Sequence, residues 1–280
     1  MSQKSYSNDK ATLYIIPTPV GNMEDITLRA LNTLKEVDVI FCEDTRVTKQ
    51  LLNYFNIDKK LVSCHKFTEN IKLDSVIDYL SDNKKVGLVS DRGTPIISDP
   101  GYEIAKGVID AGYNVVSLPG ATAFVPALTM SGLIPQPFLF YGFLNSKSSK
   151  RKEELTELKE LESTIIFYEA PHRLIETLED MHKILGNRKI SISREISKKF
   201  EEVYRGNIVD VIKEVGTPKG EFVVVVDGNH EKVDYNELNI EEHVNIYIRE
   251  GYSIMDAIKK VAKDRNVPKN EIYSKYHNIK

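Results

Sequence analysis

The sequence predicts an α/β protein with a parallel sheet in an N-terminal domain, a mixed sheet in a second domain and a small helical C-terminal extension. Three observations predict it. Up to Leu118, short β-branched runs alternate with segments whose apolar residues recur at helical spacing. From Lys189 to Gly228, strand-like runs follow one another with few helical spacers. Beyond that point the chain turns to amphipathic helical patterns and its charge changes sign.

Taken in order, the strand-like runs are LYII at 13–16, DVIFC at 38–42, LVSCH at 61–65, VGLVS at 86–90 and NVVSL at 114–118. Between them lie helical patterns such as Leu28, Leu31, Leu34 and Val37, or Ile71, Val76, Ile77 and Leu80. Strict alternation predicts parallel βαβ units with right-handed crossovers over residues 12–135. The stretch SGLIPQPFLFYGF, with its prolines and glycines, reads as a connection into a second domain at 136–228. That domain opens with a helix near 149–161, the strand TIIFYEA and a helix near 172–185. KISISREI, EEVYRG and GEFVVVVDG follow closely, which favours antiparallel pairing.

The extension, 229–280, divides by charge: residues 229–253 carry two basic and six acidic side chains, residues 254–280 seven basic and three acidic. SIMDAIKKVAKDRN reads as an amphipathic helix, VPK as a breaker, and NEIYSKYHN as a second helix opened by an Asn cap. This outlines a helix-turn-helix, and a plain packed helical pair fits the same pattern.

Composition bounds the function. At 280 residues, 41% hydrophobic and 28% charged, the chain buries a real core. With 38 basic against 41 acidic residues it has no global positive field, so any bound RNA needs a local patch. Cys42 and Cys64 sit in apolar runs and read as buried reduced thiols of a cytoplasmic protein. The first residues show no apolar signal core, and no apolar run approaches the roughly 20 residues of a membrane span. The six histidines show no metal-ligand spacing, so no metal is expected.

In an open parallel sheet, ligands bind outside the carboxyl ends of the strands, so the loops there carry the chemistry. After the first strand, PTPVGN holds two prolines and one glycine. It lacks the glycines of a dinucleotide loop, suits the border of an adenosine better than a pyrophosphate, and makes a dehydrogenase the poorest reading. After the second strand comes EDTR, where Asp44 or Thr45 caps the next helix; a surface ion pair and a functional acid both fit. SDRGTPIISDPGY, with two Ser-Asp pairs in thirteen residues, is longer than a turn requires. LPGATA then leads into a helix whose free amides suit a carboxylate or a ribose oxygen.

These segments, together with FYGFL, FYEAPHRL, SREISKKFEEVYRG and KGEFVVVV in that order, resemble the tetrapyrrole methylase superfamily, and within it the branch acting on small-subunit ribosomal RNA. The resemblance runs from Leu13 to about Gly228 and extends to the helical tail. It implies the two-domain tetrapyrrole-methylase-like fold, a homodimer, and S-adenosyl-L-methionine in the cleft between domains. It further implies methylation of a cytidine ribose 2'-hydroxyl in the decoding region of 16S rRNA in the small ribosomal subunit.

By motif position, Pro17, Asp91, Gly93, Thr94, Ile96, Ala121 and Thr122 are expected at the cofactor from the first domain. Tyr168, Glu169, Ala170 and 219–221, with Gly220 at its centre, are expected from the second. Arg92 stands where the family commonly has alanine, so it is expected either to clash in the loop or to face outward.

Methyl transfer is an in-line displacement in which alignment alone supplies roughly 7–11 kcal/mol. The weakly nucleophilic ribose hydroxyl gains from a proton acceptor, for which Asp44, Asp91 and Glu169 are the candidates. Arg46, Arg173, Arg194 and Lys198 are candidates for RNA phosphate contact, with Arg173 also placed to pair with Glu176 or Glu169. The basic run KSSKRK at 147–152 suits either an RNA-backbone patch or a solvated face. Two rivals remain on the sequence: a small-molecule methyltransferase of the same fold, and a noncatalytic RNA-binding module with a relic cleft.

Overall fold

Parallel strands covered on both faces need apolar residues on both, and this chain supplies them. In the computed structural model, which describes residues 3–4, 10–65, 69–230, 238–249 and 251–278, the first sheet is built from β1 (Thr12–Ile15), β2 (Val39–Cys42), β3 (Lys60–Ser63), β4 (Val86–Val89) and β5 (Asn114–Ser117). The order is β3-β2-β4-β1-β5 and every pairing is parallel. The linking helices are α1 (Leu28–Glu36), α2 (Thr45–Tyr54), α3 (Glu69–Ser81) and α4 (Tyr102–Asp110). Alternate residues of β2 serve opposite layers: Val39 and Phe41 pack with Val76, Leu80, Ile104 and Val108. Ile40 and Cys42 pack with Ala30, Leu34 and Leu52 on the other side. Both cysteines are buried free thiols, and burial pushes Cys64 up to about 11.

The second sheet, β6 (Phe138–Phe143), β7 (Thr164–Glu169), β8 (Lys189–Arg194), β9 (Glu202–Asn207) and β10 (Phe222–Val226), has the order β6-β7-β10-β8-β9. Only β6 and β7 pair in parallel, so the sheet is mixed. Helices α6 (Ser148–Leu158), α7 (Leu174–Leu185) and α8 (Ile208–Glu214) cover one face, over Ile165, Phe167, Phe222, Val224 and Val226. The other face is covered by α5 (Phe124–Ser131), whose Ala127 and Leu128 pack on Ile166, Val223 and Val225. A helix read from the sequence as part of the first domain thus packs on the second sheet, and residues 1–229 form one compact unit.

Residues 230–280 form the other unit, with α9 (Ile240–Arg249), α10 (Ile254–Asp264) and α11 (Lys269–Asn278) around Val244, Ala257, Ile258, Val261, Ile272 and Tyr276. Ser253 caps α10 by accepting the Asp256 amide at 3.2 Å. The expected Asn cap of α11 is displaced: that helix begins at Lys269 behind Pro268, so Asn270 lies inside its first turn. Much of the acidic run, residues 231–237, lies outside the described residues, as do most of residues 1–9. Among the described residues, no helix is long and apolar enough to cross a membrane.

Candidate active site

The ends of β1 and β4 lie side by side, and the loops that leave them are stitched together. Thr18 and Gly93 exchange backbone hydrogen bonds at 2.9 and 3.0 Å, and the Thr18 hydroxyl donates to the Ser90 carbonyl at 3.1 Å. The amides of PTPVGN that could have met a phosphate are partly consumed in this stitch, which agrees with the missing glycine fingerprint. Beyond it the β4 loop folds sharply, with Gly93, Ile96 and Ser98 at φ of 77°, 77° and 66°. A β-branched residue at positive φ is strained, and such strain gathers where a loop is shaped for a ligand.

Below this loop lies a cavity of about 310 Å³, within the range of small-molecule sites. The β4 loop contributes Arg92, Gly93, Thr94, Ile97, Ser98 and Asp99, and the start of α5 contributes Thr122 and Ala123. The second sheet closes it with Phe143, Tyr168, Glu169, Ala170, Glu221, Phe222 and Val223. Ile196 and Val20 complete its apolar wall. The Tyr168 ring packs edge-on to Phe140 and Phe143 with centroids 5.0 and 5.6 Å away. Its hydroxyl faces the amides of Ala123 and Phe124 at the uncapped start of α5, and burial pushes it up to about 12. The lining thus combines apolar and aromatic walls with hydroxyls and carboxylates, which suits a ligand that carries both a ring and polar groups.

Of the residues expected at the cofactor, Gly93, Thr94, Thr122, Tyr168, Glu169, Ala170 and Glu221 line this cavity. Pro17, Asp91, Ile96, Ala121 and Gly220 do not line it. Pro17 packs on Gly120, where an added Cβ would meet the proline ring at 2.5 Å. The Ala121 carbonyl accepts the Thr94 hydroxyl at 2.9 Å. Ile96 supplies the strained bend, and Gly220 packs on Glu195 at φ 91° beside the lining residue Glu221. Asp91 accepts the Asp44 amide at 3.0 Å and so ties the loops after β2 and β4. Arg92 is more than half exposed, borders the cavity and pairs with Glu221.

The expected acids are largely engaged. Asp44 caps α2 through the Arg46 amide at 2.7 Å and holds the Arg46 guanidinium, which keeps its carboxyl down at about 2. Glu169 is buried, with its oxygens held by Arg173, the Ala170 amide and the Thr177 hydroxyl. Of the four cations expected at RNA, Arg46 is largely exposed, while Arg173 is partly buried and paired with Glu169. Arg194 joins Glu202 and the Lys219 carbonyl, and Lys198 joins Glu195 and Glu221 at 2.8 Å each. In the KSSKRK run Lys147, Lys150 and Lys152 are exposed, while Arg151 is fully buried against Asp180 and Glu176.

Sequence reasoning missed Asp99, Phe143, Ile196 and Val223 as lining residues. The second Ser-Asp pair was the signal for Asp99. Among the described residues, no group of acids, histidines and cysteines is arranged to hold a metal.

The cavity thus lies at the carboxyl edge of the parallel sheet and is closed by the mixed sheet. The family model of the Tetrapyrrole (Corrin/Porphyrin) Methylases matches residues 12–212, and the chain belongs to that family. It is similar to Ribosomal RNA small subunit methyltransferase I of Bacillus subtilis (strain 168), with 50% identity covering 96% of this chain and 95% of that one. The protein of the same name in Halalkalibacterium halodurans is 48% identical, with 99% of both chains covered. In fold it is similar to the crystal structure of the methyltransferase CobJ, with a TM-score of 0.61 at 16% identity over 78% of this chain and 95% of that one. A uroporphyrin-III-C-methyltransferase from Thermus thermophilus gives 0.56 at 19% identity, over 77% of this chain and 94% of that chain.

Proposed function

We propose that this protein methylates small-subunit ribosomal RNA with S-adenosyl-L-methionine, at the 2'-hydroxyl of a cytidine ribose in the decoding region of 16S rRNA. The observation that carries this reading is near-full-length identity of 50% and 48% to proteins named for that RNA class, joined to a cavity that fits the methyl donor. When bound, S-adenosyl-L-methionine supplies a methyl carbon activated by its positive sulfur. The hydroxyls of Thr94 and Thr122 are the groups we assign to hold it, with Gly93, Ala170 and the ring of Tyr168 forming the walls. Pro17, Asp91, Ile96, Ala121 and Gly220 support those groups from behind. The chain's contribution is alignment and exclusion of water, worth roughly 7–11 kcal/mol when geometry is tight.

Of the acids considered on sequence, Asp44 and Asp91 hold the loops after β2 and β4, and Glu169 anchors Arg173. On the RNA side we assign phosphate contact to Arg46, exposed at the start of α2, with Arg194, Lys198 and Arg173 shaping the rim. A homodimer fits the exposed Phe138 and Phe143 on the edge strand β6, and light scattering tests it. The working compartment we assign is the cytoplasm, where ribosomes are assembled.

The test is transfer of labelled methyl to isolated small subunits and to bare 16S rRNA, followed by mapping of the modified nucleotide. Label on one cytidine 2'-oxygen is the expected result. Cofactor binding without transfer to either substrate would sink the reading in favour of a small-molecule acceptor.

A further inference from the structure

Of the acids put forward from the sequence, Asp44 is committed to Arg46, Glu169 is held by Arg173 and Thr177, and Asp91, which accepts the Asp44 amide, does not line the cavity. Asp99 differs from all three. It lines the cavity itself, on the β4 loop and beside the strained turn at Ser98. Among the described residues no basic side chain forms an ion pair with it, and the Ser90 hydroxyl lies within hydrogen-bond reach. The cavity's other charged groups are spoken for, Arg92 and Glu221 by each other and Glu169 by Arg173.

We propose that Asp99 is the proton acceptor of the transfer reaction, the carboxylate on the cavity wall that receives the ribose hydroxyl proton. This rests on the 2'-hydroxyl reading above. In the step, the hydroxyl oxygen forms its bond to the methyl carbon as the carbon–sulfur bond of the donor breaks, with the electron pair left on sulfur. The hydroxyl proton passes to the Asp99 carboxylate and from there to water, so charge and atoms balance.

The surroundings suit this work. Burial, with the like charges of Glu43 at the end of β2 and Asp91 in the same loop, pushes the Asp99 carboxyl up to about 7. Tyr168 of β7, whose hydroxyl feels that charge and is raised by burial to about 12, stays protonated. A base whose pKa sits near the working pH accepts a proton with the best balance of availability and strength.

The test compares wild type with Asp99→Asn and Asp99→Glu, by single-turnover methyl transfer to small subunits across pH and by calorimetric titration with S-adenosyl-L-methionine. Wild-type rate should climb roughly tenfold per pH unit below about 7 and then level. Asp99→Asn should slow transfer about a hundredfold or more and lose that limb, with donor affinity unchanged and Asp99→Glu restoring part of the rate. Thermal melting guards against misfolding, and the amide removes a charge that burial disfavours. Wild-type rate and pH profile in Asp99→Asn would overturn the proposal. So would a loss of rate that tracks weakened donor binding, since Asp99 would then be a counter-charge for the donor's ammonium. If wild type itself leaves the ribose unmodified, the 2'-hydroxyl reading fails first and the assignment falls with it.

Discussion

Arg92, in the loop after β4, pairs across the cavity with one oxygen of Glu221, while Lys198 from the β8–β9 connection holds the other at 2.8 Å. The same connection approaches the β1 loop twice: a Cβ on Gly21 would meet Lys198 Cγ at 2.4 Å, and the Ser197 hydroxyl donates to Asp25. The two sheets are therefore latched at the cavity rim by charged groups, of which Arg92 and Glu221 remain half exposed. Exposed pairs are worth at most about 1 kcal/mol and fade with salt. Arg92→Ala is expected to cost about 1 kcal/mol or less in urea unfolding at low salt, and nothing at high salt. A larger, salt-insensitive loss would mean that the guanidinium packs rather than pairs.

The Arg151 pair predicts the opposite. Its guanidinium is fully buried and donates to Asp180 at 2.6 Å, while the Asp180 side chain is itself 4% exposed. Removing one partner of a buried pair strands the other charge, at about 3–5 kcal/mol. Asp180→Ala should lower the urea midpoint accordingly. Lys152→Ala, which removes a half-exposed ammonium 3.4 Å from the same carboxylate, should stay within about 0.5 kcal/mol. Equal effects for the two would show that burial does not set the cost.

These two pairs mark what the sequence could reveal. β2 was legible because Val39, Ile40, Phe41 and Cys42 all face apolar layers and leave a continuous apolar run. The β4 loop was legible because its length and Ser-Asp pairs exceed what a turn needs. Arg151 was not, because its partner lies 29 residues away and a basic helix start reads as solvated until that carboxylate is placed. Nor was the packing of α5: its apolar residues announce a buried helix without naming the sheet it covers. Asp99 shares its composition with turn formers, and only the fold turns it toward the cavity.

A third prediction concerns the contact behind the cofactor wall. At Gly120 an added methyl would sit 2.5 and 2.7 Å from Cβ and Cγ of Pro17, atoms of a ring that cannot swing aside. Gly120→Ala must therefore displace the β1 loop, and with it the Thr18–Gly93 stitch. Overpacking of this kind costs about 1–3 kcal/mol. We expect a lower melting temperature and weaker calorimetric binding of S-adenosyl-L-methionine. Unchanged binding would show that the Pro17–Gly120 contact does not shape the wall.

The last prediction follows from the sign of the Asp99 shift. With its pKa raised from 3.8 to about 7 in the folded protein, the folded state holds a proton that the unfolded chain has already released. Between those values the folded state binds more protons, so stability from this group is greatest below about 4 and falls as pH rises to 7. The slope is at most about 1.4 kcal/mol per pH unit, and less because the side chain is partly exposed. Glu43, also raised by burial and by Asp91, pulls in the same direction. His243 pulls the other way: burial and Arg265 lower its pKa below 6.5, so its contribution is present above that value and lost in acid. The net curve mixes these, but the difference between wild type and Asp99→Asn isolates one of them. That difference, from urea midpoints at about pH 5 and about pH 8, should show the variant gaining relative stability at the higher pH. A difference that is flat with pH would mean that Asp99 ionises as freely as an exposed carboxylate, and the cavity would lose its proton acceptor.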